Sequence, residues 1–194
     1  MSAYKLYQML APLRHVHRFQ RFPVHWPQSV AEHSYYTALL AHLFAHQVQH
    51  QTGVAVDLTA VVCSALWHDA AEARTGDIPH DVKRSSPELH GLLDHLDATL
   101  QVEVERVGGL YPHPRADSLE ALLVKLADWT DLLLYSDTER QGGNAALAIT
   151  EQRIWVLLRT MLREKMRVHG ERVLQWYDDQ LADLATSLLG EPAW

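Results

Sequence analysis

The segment SVAEHSYYTALLAHLFAHQV, residues 29–48, decides how the rest of the chain is read. Ser29-Val30-Ala31-Glu32 has the form of a capping box, a hydroxyl residue followed three positions later by a glutamate that returns to the first amide, and Pro27 stands just before it. Leu39, Leu40, Leu43 and Val48 then recur at helical spacing. The segment is therefore predicted to be a helix, with His33 in its first turn.

The same signals repeat on either side. Asp57 is placed to cap a second helix through Leu58, Val61, Val62, Ala65 and Leu66 to about Arg74, with Gly76 as a left-handed stop. This helix is expected to carry the dyad His68-Asp69. Ser86-Pro87-Glu88 opens another, predicted to last until Gly108-Gly109. Asp117-Ser118 starts a helix through Leu122, Leu123, Leu126, Asp128, Leu132 and Leu133 that stops near Gly142-Gly143-Asn144. Two more fill the stretches before Gly170 and Gly190, and a short one covers Tyr4 to Leu13. No stretch alternates with the period of a strand. The expectation is an all-α, single-domain helical bundle of about six or seven helices over residues 1–194. His15 to Gln28, with Arg18, Arg21, Pro23 and Pro27, lacks periodicity and reads as a loop that meets ligand.

Composition narrows the function classes. With 194 residues, nearly half of them apolar, the chain is long enough for one substantial core and too short for two large ones. A formal charge of -7 argues against a nucleic-acid polymer as partner, which would require a basic face, but leaves small anionic substrates open to a local basic cluster. Cys63 is the only cysteine and lies in an apolar stretch, so no internal disulfide forms and a buried thiol in a reducing cytoplasm is expected. The N-terminal residues lack a signal-peptide layout and no run has the apolar length of a membrane span, so the reading is cytoplasmic, with no membrane partner.

Chemistry is concentrated in His33, His68, Asp69 and Asp128. The His68-Asp69 dyad alone says little, because random order in so His- and Asp-rich a chain gives roughly one such pair, and a second copy occurs at His80-Asp81. The first copy sits in an apolar-periodic segment, whereas the second follows Pro79 after the loop signal Thr75-Gly76-Asp77. Asp128 interrupts an apolar helix, where a carboxylate is costly unless paired or bound to a cation. Two imidazoles and two carboxylates suit one divalent transition metal (Co, Mn, Ni, Fe or Zn) better than calcium or a thiolate-bound structural zinc. Four protein ligands on an octahedral ion leave two positions for water and substrate, which suits hydrolysis.

Around this quartet, Glu72 projects one turn beyond the dyad and is placed to orient or deprotonate water, while Asp77 on the Gly76 loop is placed to protonate a leaving alkoxide. Asp131 has two readings of equal weight, a hydrogen bond to a ligating histidine or exposure to water. Arg18 and Lys83 rise above ordinary solvated charges because each lies beside a loop leading to the metal, where a phosphate needs neutralising. His42, His46 and His50 form a four-residue stripe without a carboxylate and read as a solvated face. The six Trp are assigned to core or groove lining.

Several stretches together resemble the HD-domain metal-dependent phosphohydrolases, and more specifically the bacterial HD-domain 5'-deoxynucleotidases. They are Arg18-Phe19, Ser29 to Ser34, His68-Asp69-Ala70-Ala71-Glu72, Thr75 to Pro79 with Val82-Lys83, and Val124 to Asp128. The resemblance implies that His33, His68, Asp69 and Asp128 hold the metal, that Glu72 and Asp77 assist hydrolysis, and that the substrate is a deoxynucleoside 5'-monophosphate. It implies substrate contacts for Arg18, Phe19, His33, Asp69, Asp77, Ile78, Pro79, His80 and Lys83, and a homodimer. Arg18 and the aromatic after it, usually Trp in the family, lie against the sugar and help exclude a 2'-hydroxyl; Phe19 keeps the aromatic and loses the indole N–H. Phosphate-monoester hydrolysis requires accelerations up to about 10²¹, which a metal supplying nucleophile and charge neutralisation serves. The rivals are a deoxynucleoside triphosphate triphosphohydrolase, favoured if Arg21 and Arg84 meet a triphosphate, and a non-catalytic nucleotide-sensing module, against which Glu72 and Asp77 speak.

Overall fold

The computed structural model describes residues 2–83, 85–108 and 114–190. Helix α1 (Ala3–Leu10) runs into a 3-10 turn (Ala11–Arg14) where Pro12 enters; α2 (Val30–Thr52) and α3 (Leu58–Trp67) follow. Two single-turn helices, α4 (Glu72–Thr75) and α5 (His80–Lys83), lead to α6 (Pro87–Gly108) and α7 (Leu119–Gln141). Helix α8 (Ala148–Leu157) continues through a π-helical turn (Leu158–Leu162) into α9 (Arg163–Arg167), and α10 (Glu171–Leu189) completes the order. With α8 and α9 taken as one and the two single turns set aside, the described residues form 7 helices, the all-α bundle expected.

The predicted starts are the observed ones. Ser29 Oγ accepts from Glu32 N while the Glu32 carboxylate accepts from Ser29 N, and Gly53 ends α2 in the left-handed conformation. Asp57 caps α3, Ser86 Oγ accepts from Leu89 N at the head of α6, and Ser118 caps α7. Gly109, named as part of the stop of α6, lies outside the described residues. Cys63 is half-buried rather than fully inside.

The core lies where α2, α3 and α7 converge, with α10 packed on the flank of α2. Ala41, Ala45 and Val48 from α2, Val61 and Ala65 from α3, and Leu123, Leu126, Ala127 and Leu133 from α7 are buried. Small residues on α2 let the neighbouring backbones come close, and each buried leucine contributes roughly 1.5–3 kcal/mol. Polar groups emerging from α7 therefore stand on a rigid support. In the π turn the carbonyl of Leu158 accepts from Tyr177 Oη at 2.8 Å, so the widened turn is stapled to α10.

One expectation is corrected here. The dyad is not inside α3, which ends at Trp67; His68 is its C-terminal cap, and residues 68–71 form turns. His68 Nδ1 donates to Ala65 O at 2.7 Å, and Ala70 N to Trp67 O and Glu72 N to Asp69 O bonds replace the i−4 pattern with i−3 bonds. The tightened winding frees His68 and Asp69 from the fixed divergence of adjacent α-helical residues. His80-Asp81, expected after the loop, stands at the start of α5.

The segment 15–28 is irregular, as expected. It closes on itself through an isolated bridge of His17 and Ser29, with Arg18 N donating to Gln28 O at 2.9 Å and Val30 N to Val16 O at 2.8 Å.

Candidate metal centre

His33 rises from the first turn of α2, His68 and Asp69 from the end of α3, and Asp128 from the middle of α7. The structure brings all four together. His33 Nε2 lies 3.1 Å from His68 Nε2, 3.3 Å from Asp128 Oδ1 and 3.6 Å from Asp69 Oδ2, and His68 Nε2 lies 3.2 Å from Asp69 Oδ2. Donor atoms of His33, His68 and Asp128 all fall within 4.8 Å of one another.

The tautomers decide what this cluster wants. His33 Nδ1 is 2.6 Å from Asp131 Oδ2, and since a carboxylate oxygen only accepts, the proton sits on Nδ1. His68 Nδ1 donates to the carbonyl of Ala65. Both Nε2 atoms are left with lone pairs that face each other at 3.1 Å beside two carboxylates, an arrangement that calls for a cation among them. Ligands held at about 2.1 Å from one ion lie about 3.0 Å apart along an octahedral edge and about 3.4 Å apart in a tetrahedron, which matches the separations above. The electrostatics favour positive charge at the same place: burial alone would lower the pKa of His68, yet Asp69 and Asp128 override it and push it up to about 9, so a proton and a cation compete for the Nε2 lone pair. Asp128 is held well below the usual carboxylate range, its burial outweighed by Lys125, His33 and His68. The donor set therefore fits a divalent transition metal.

Asp131, left open between two roles, is buried and takes the first: besides His33 it accepts from Gln28 Nε2 at 3.1 Å. Arg18 Nη1 donates to Gln28 Oε1 at 2.8 Å and stands 3.5 Å from Asp131 Oδ2. It also approaches His33 Nδ1 to 2.8 Å, but that nitrogen is committed to Asp131. Arg18 is thus brought against His33, and its guanidinium lies 4.8 Å from the Phe19 ring centroid.

Glu72 is 6 % exposed and accepts from Lys83 Nζ at 2.9 Å, which joins α4 to α5. Burial first and the charge of Asp69 second push its carboxyl up to about 7, against the opposing pull of Lys83. Asp77 has an occupation that sequence spacing did not suggest: its Oδ2 accepts from Phe19 N at 3.1 Å, tying the Gly76 loop to the 15–28 strap. Ile78 and Pro79 are half-buried in the same loop. His80 opens α5, and its side chain lies outside the described part, as does Arg84. His42, His46 and His50 are exposed on α2, away from the quartet.

Three residues were given no role in the sequence reading. Lys125 Nζ donates to Asp128 Oδ2 at 2.8 Å from the rim, and it rides 5.6 Å above the Trp129 ring. Tyr135 and Glu139 of α7 hold the strap: Tyr135 Oη donates to Trp26 O at 2.9 Å, and the buried Glu139 carboxylate accepts from His25 N and Trp26 N at 2.8 Å each. Asp128, Asp131, Tyr135 and Glu139 follow spacings of three, four and four, one stripe of a helix, and that spacing was the available signal.

Comparison with known proteins agrees with this geometry. The chain is 25% identical over 162 residues to a 5'-deoxynucleotidase of Shewanella oneidensis, covering 77% of this chain and 83% of that one. It is 44% identical over 69 residues to a dATP triphosphohydrolase of Salmonella phage PMBT28, 34% of this chain and 36% of the phage protein. Among solved structures, the HD phosphohydrolase of cyanophage S-2L, bound to dA and one catalytic zinc ion, superposes with a TM-score of 0.65 at 21% identity, over 98% of each chain. The model of the family described as 5'-deoxynucleotidase YfbR-like matches residues 5–177, and the chain belongs to that family.

Proposed function

We propose that the protein hydrolyses deoxynucleoside 5'-monophosphates to deoxynucleoside and phosphate, with His33, His68, Asp69 and Asp128 holding one divalent transition metal. The observation that carries this reading is that the family match over residues 5–177 runs through every residue of the site just described. Bound there, the metal supplies Lewis acidity, neutralising phosphate charge and making water acidic. The zinc ion of the cyanophage protein supports that class of metal.

The chain's own residues do the rest. Glu72, near neutrality in its titration and bonded to Lys83, takes a proton from the attacking water, while Asp77 is the donor to the departing 5'-oxygen. Lys83 keeps that carboxylate oriented and adds positive charge on the phosphate side. Arg18, anchored on Gln28, offers the remaining nitrogens of its guanidinium to the phosphate and sugar end. Asp77 fixes Phe19 by its backbone and assists the leaving group, with Ile78, Pro79 and His80 beside the nucleotide.

We read the chain as a single cytoplasmic domain acting as a homodimer. Among the described residues no helix is long and apolar enough to cross a membrane. Tyr35, Tyr36, Leu39 and Leu43 form an exposed apolar ridge along α2 that suits burial against a second copy, which a solution mass by light scattering tests.

The test of activity is a panel of deoxy- and ribonucleotides with Mn, Co, Ni, Zn and Mg, the products identified by phosphorus NMR. Orthophosphate from deoxynucleoside monophosphates is expected; inactivity across the panel overturns the reading. A second reading draws on the phage relative, which exceeds the others in identity over a short stretch. Release of inorganic triphosphate from deoxynucleoside triphosphates would establish that one instead.

A further inference from the structure

Among the described residues, Phe19 is the one non-glycine with positive φ, at 58°. A bulky residue rarely adopts this left-handed conformation, which is strained and persists only where the surroundings over-determine it. The surroundings here do so. Phe19 N donates to Asp77, Phe19 O accepts from Phe22 N at 2.8 Å, and the preceding amide of Arg18 is bonded to Gln28 O. The ring is held as firmly as the backbone: it stacks on Tyr135 with centroids 5.3 Å apart and planes 6° from parallel, and Phe22 meets it edge-on at 6.4 Å. Tyr135 is itself pinned through its hydroxyl to Trp26 O. Burial first and the nearby Glu139 second push that phenol up to about 12, so it remains a donor.

We propose that Tyr135 is a positioning residue for substrate selection: by stacking on Phe19 it fixes the plane and depth of the ring that bounds the sugar, and so sets the preference for 2'-deoxyribose over ribose. This deepens the reading of Arg18-Phe19 as the sugar-facing pair and rests on it. A phenyl ring has no N–H with which to lock itself in place, so its orientation comes from its neighbours. Tyr135 lies on the α7 stripe that carries Asp128 and Asp131, and the sugar wall is thereby held in register with the metal ligands. An added hydroxyl is excluded by a wall only as well as that wall is placed; free to tilt, the ring concedes the space.

The experiment compares kcat/KM for dAMP and AMP in wild type, Tyr135→Phe and Tyr135→Met, with thermal melts and calorimetric binding of deoxyadenosine and adenosine alongside. Tyr135→Met keeps a long apolar side chain and removes the parallel ring. It is expected to lower the deoxy-to-ribo ratio about tenfold, chiefly through KM for the ribonucleotide, in a protein that melts cooperatively. Tyr135→Phe keeps the stack and is expected to retain most of the ratio while losing the bond to Trp26 O. If Tyr135→Met fails to fold, Tyr135→Leu, which also removes the stacked ring, replaces it with the same expected fall in the ratio, and Phe19→Leu is expected to lower the ratio as well. A wild-type preference undiminished in Tyr135→Met, or in Tyr135→Leu where that stands in, overturns this proposal alone, whereas a preference undiminished under Phe19→Leu overturns the sugar-facing reading of Phe19 with it. A wild-type protein with no preference between the two sugars overturns it together with the reading on which it rests.

Discussion

The two walls of the site are built differently. On the metal side, His33 comes from the first turn of one long helix, Asp128 from the middle of another and His68 and Asp69 from the end of a third, each on a segment packed into the common core. On the strap side, Arg18 and Phe19 belong to a stretch without regular structure, held by individual hydrogen bonds to Asp131, Tyr135 and Glu139 through Gln28, Trp26 and His25. The difference teaches where each property resides. The positions of the quartet follow from helix packing and are insensitive to local change, whereas the strap, the proposed substrate wall, depends on a handful of polar anchors that can be altered one at a time.

The sharpest way to separate the walls is Asp128→Ala. It removes a proposed metal ligand and leaves the strap anchors intact, so metal content by atomic absorption and activity should fall together, the latter at least about 10³-fold. Retained metal with retained turnover would break the assignment of Asp128. Glu72→Gln touches neither wall directly; metal and nucleotide binding should persist while kcat falls about 10²-fold or more. For wild type the working form of Glu72 is the carboxylate, so activity should rise with pH through about 7, and that limb should disappear in the variant.

A smaller effect is expected of Asp131→Asn, which joins the two walls. The asparagine amide cannot take up the His33 Nδ1 proton as a carboxylate does, and metal affinity should drop about 10- to 100-fold by competitive chelation. Unchanged affinity would mean that the 2.6 Å contact does not hold the ring.

Glu139→Gln probes the strap by itself and should cost about 2 kcal/mol in denaturant unfolding, with metal content unchanged. Burial alone would raise this carboxyl, but the amides of His25 and Trp26 and the side chain of Asn144 hold it below its usual 4.5. Because its folded value is depressed, its contribution is complete above pH 4.5 and is lost as pH falls through the folded value. Trp26 fluorescence should report release of the strap in that acid range, ahead of metal-side changes in wild type, and the step should be missing in the variant.

What could be read in advance follows the same division. Helix starts at Ser29, Asp57, Ser86 and Ser118 announced themselves because a cap is a local event, complete within four residues. The quartet was legible because charged and imidazole groups in apolar helices need a reason to be there. The end of α3 at Trp67 was not: Ala70-Ala71-Glu72 are good helix formers, and nothing nearby says that His68 will turn back on Ala65. Nor was Asp77 legible as the partner of the Phe19 amide, 58 residues earlier, or Glu139 as that of His25 and Trp26, since a contact across such distances leaves no local pattern. Gly142 belongs to the same class, because a Cβ there would stand 2.4 Å from the Trp26 ring.

The termination of α3 at His68 has a further consequence. The last carbonyls of a helix carry about half a unit of negative charge between them, and His68 occupies that end with one nitrogen on Ala65 O and the other turned to the ligand cluster. The macrodipole of α3 thus points its negative pole toward the place a cation would take, adding attraction that no side chain supplies. Replacing His68 would strip the ligand and also uncap the helix, leaving the Ala65 carbonyl without its donor. Loss of the ion and fraying of the last turn of α3 are two faces of one event.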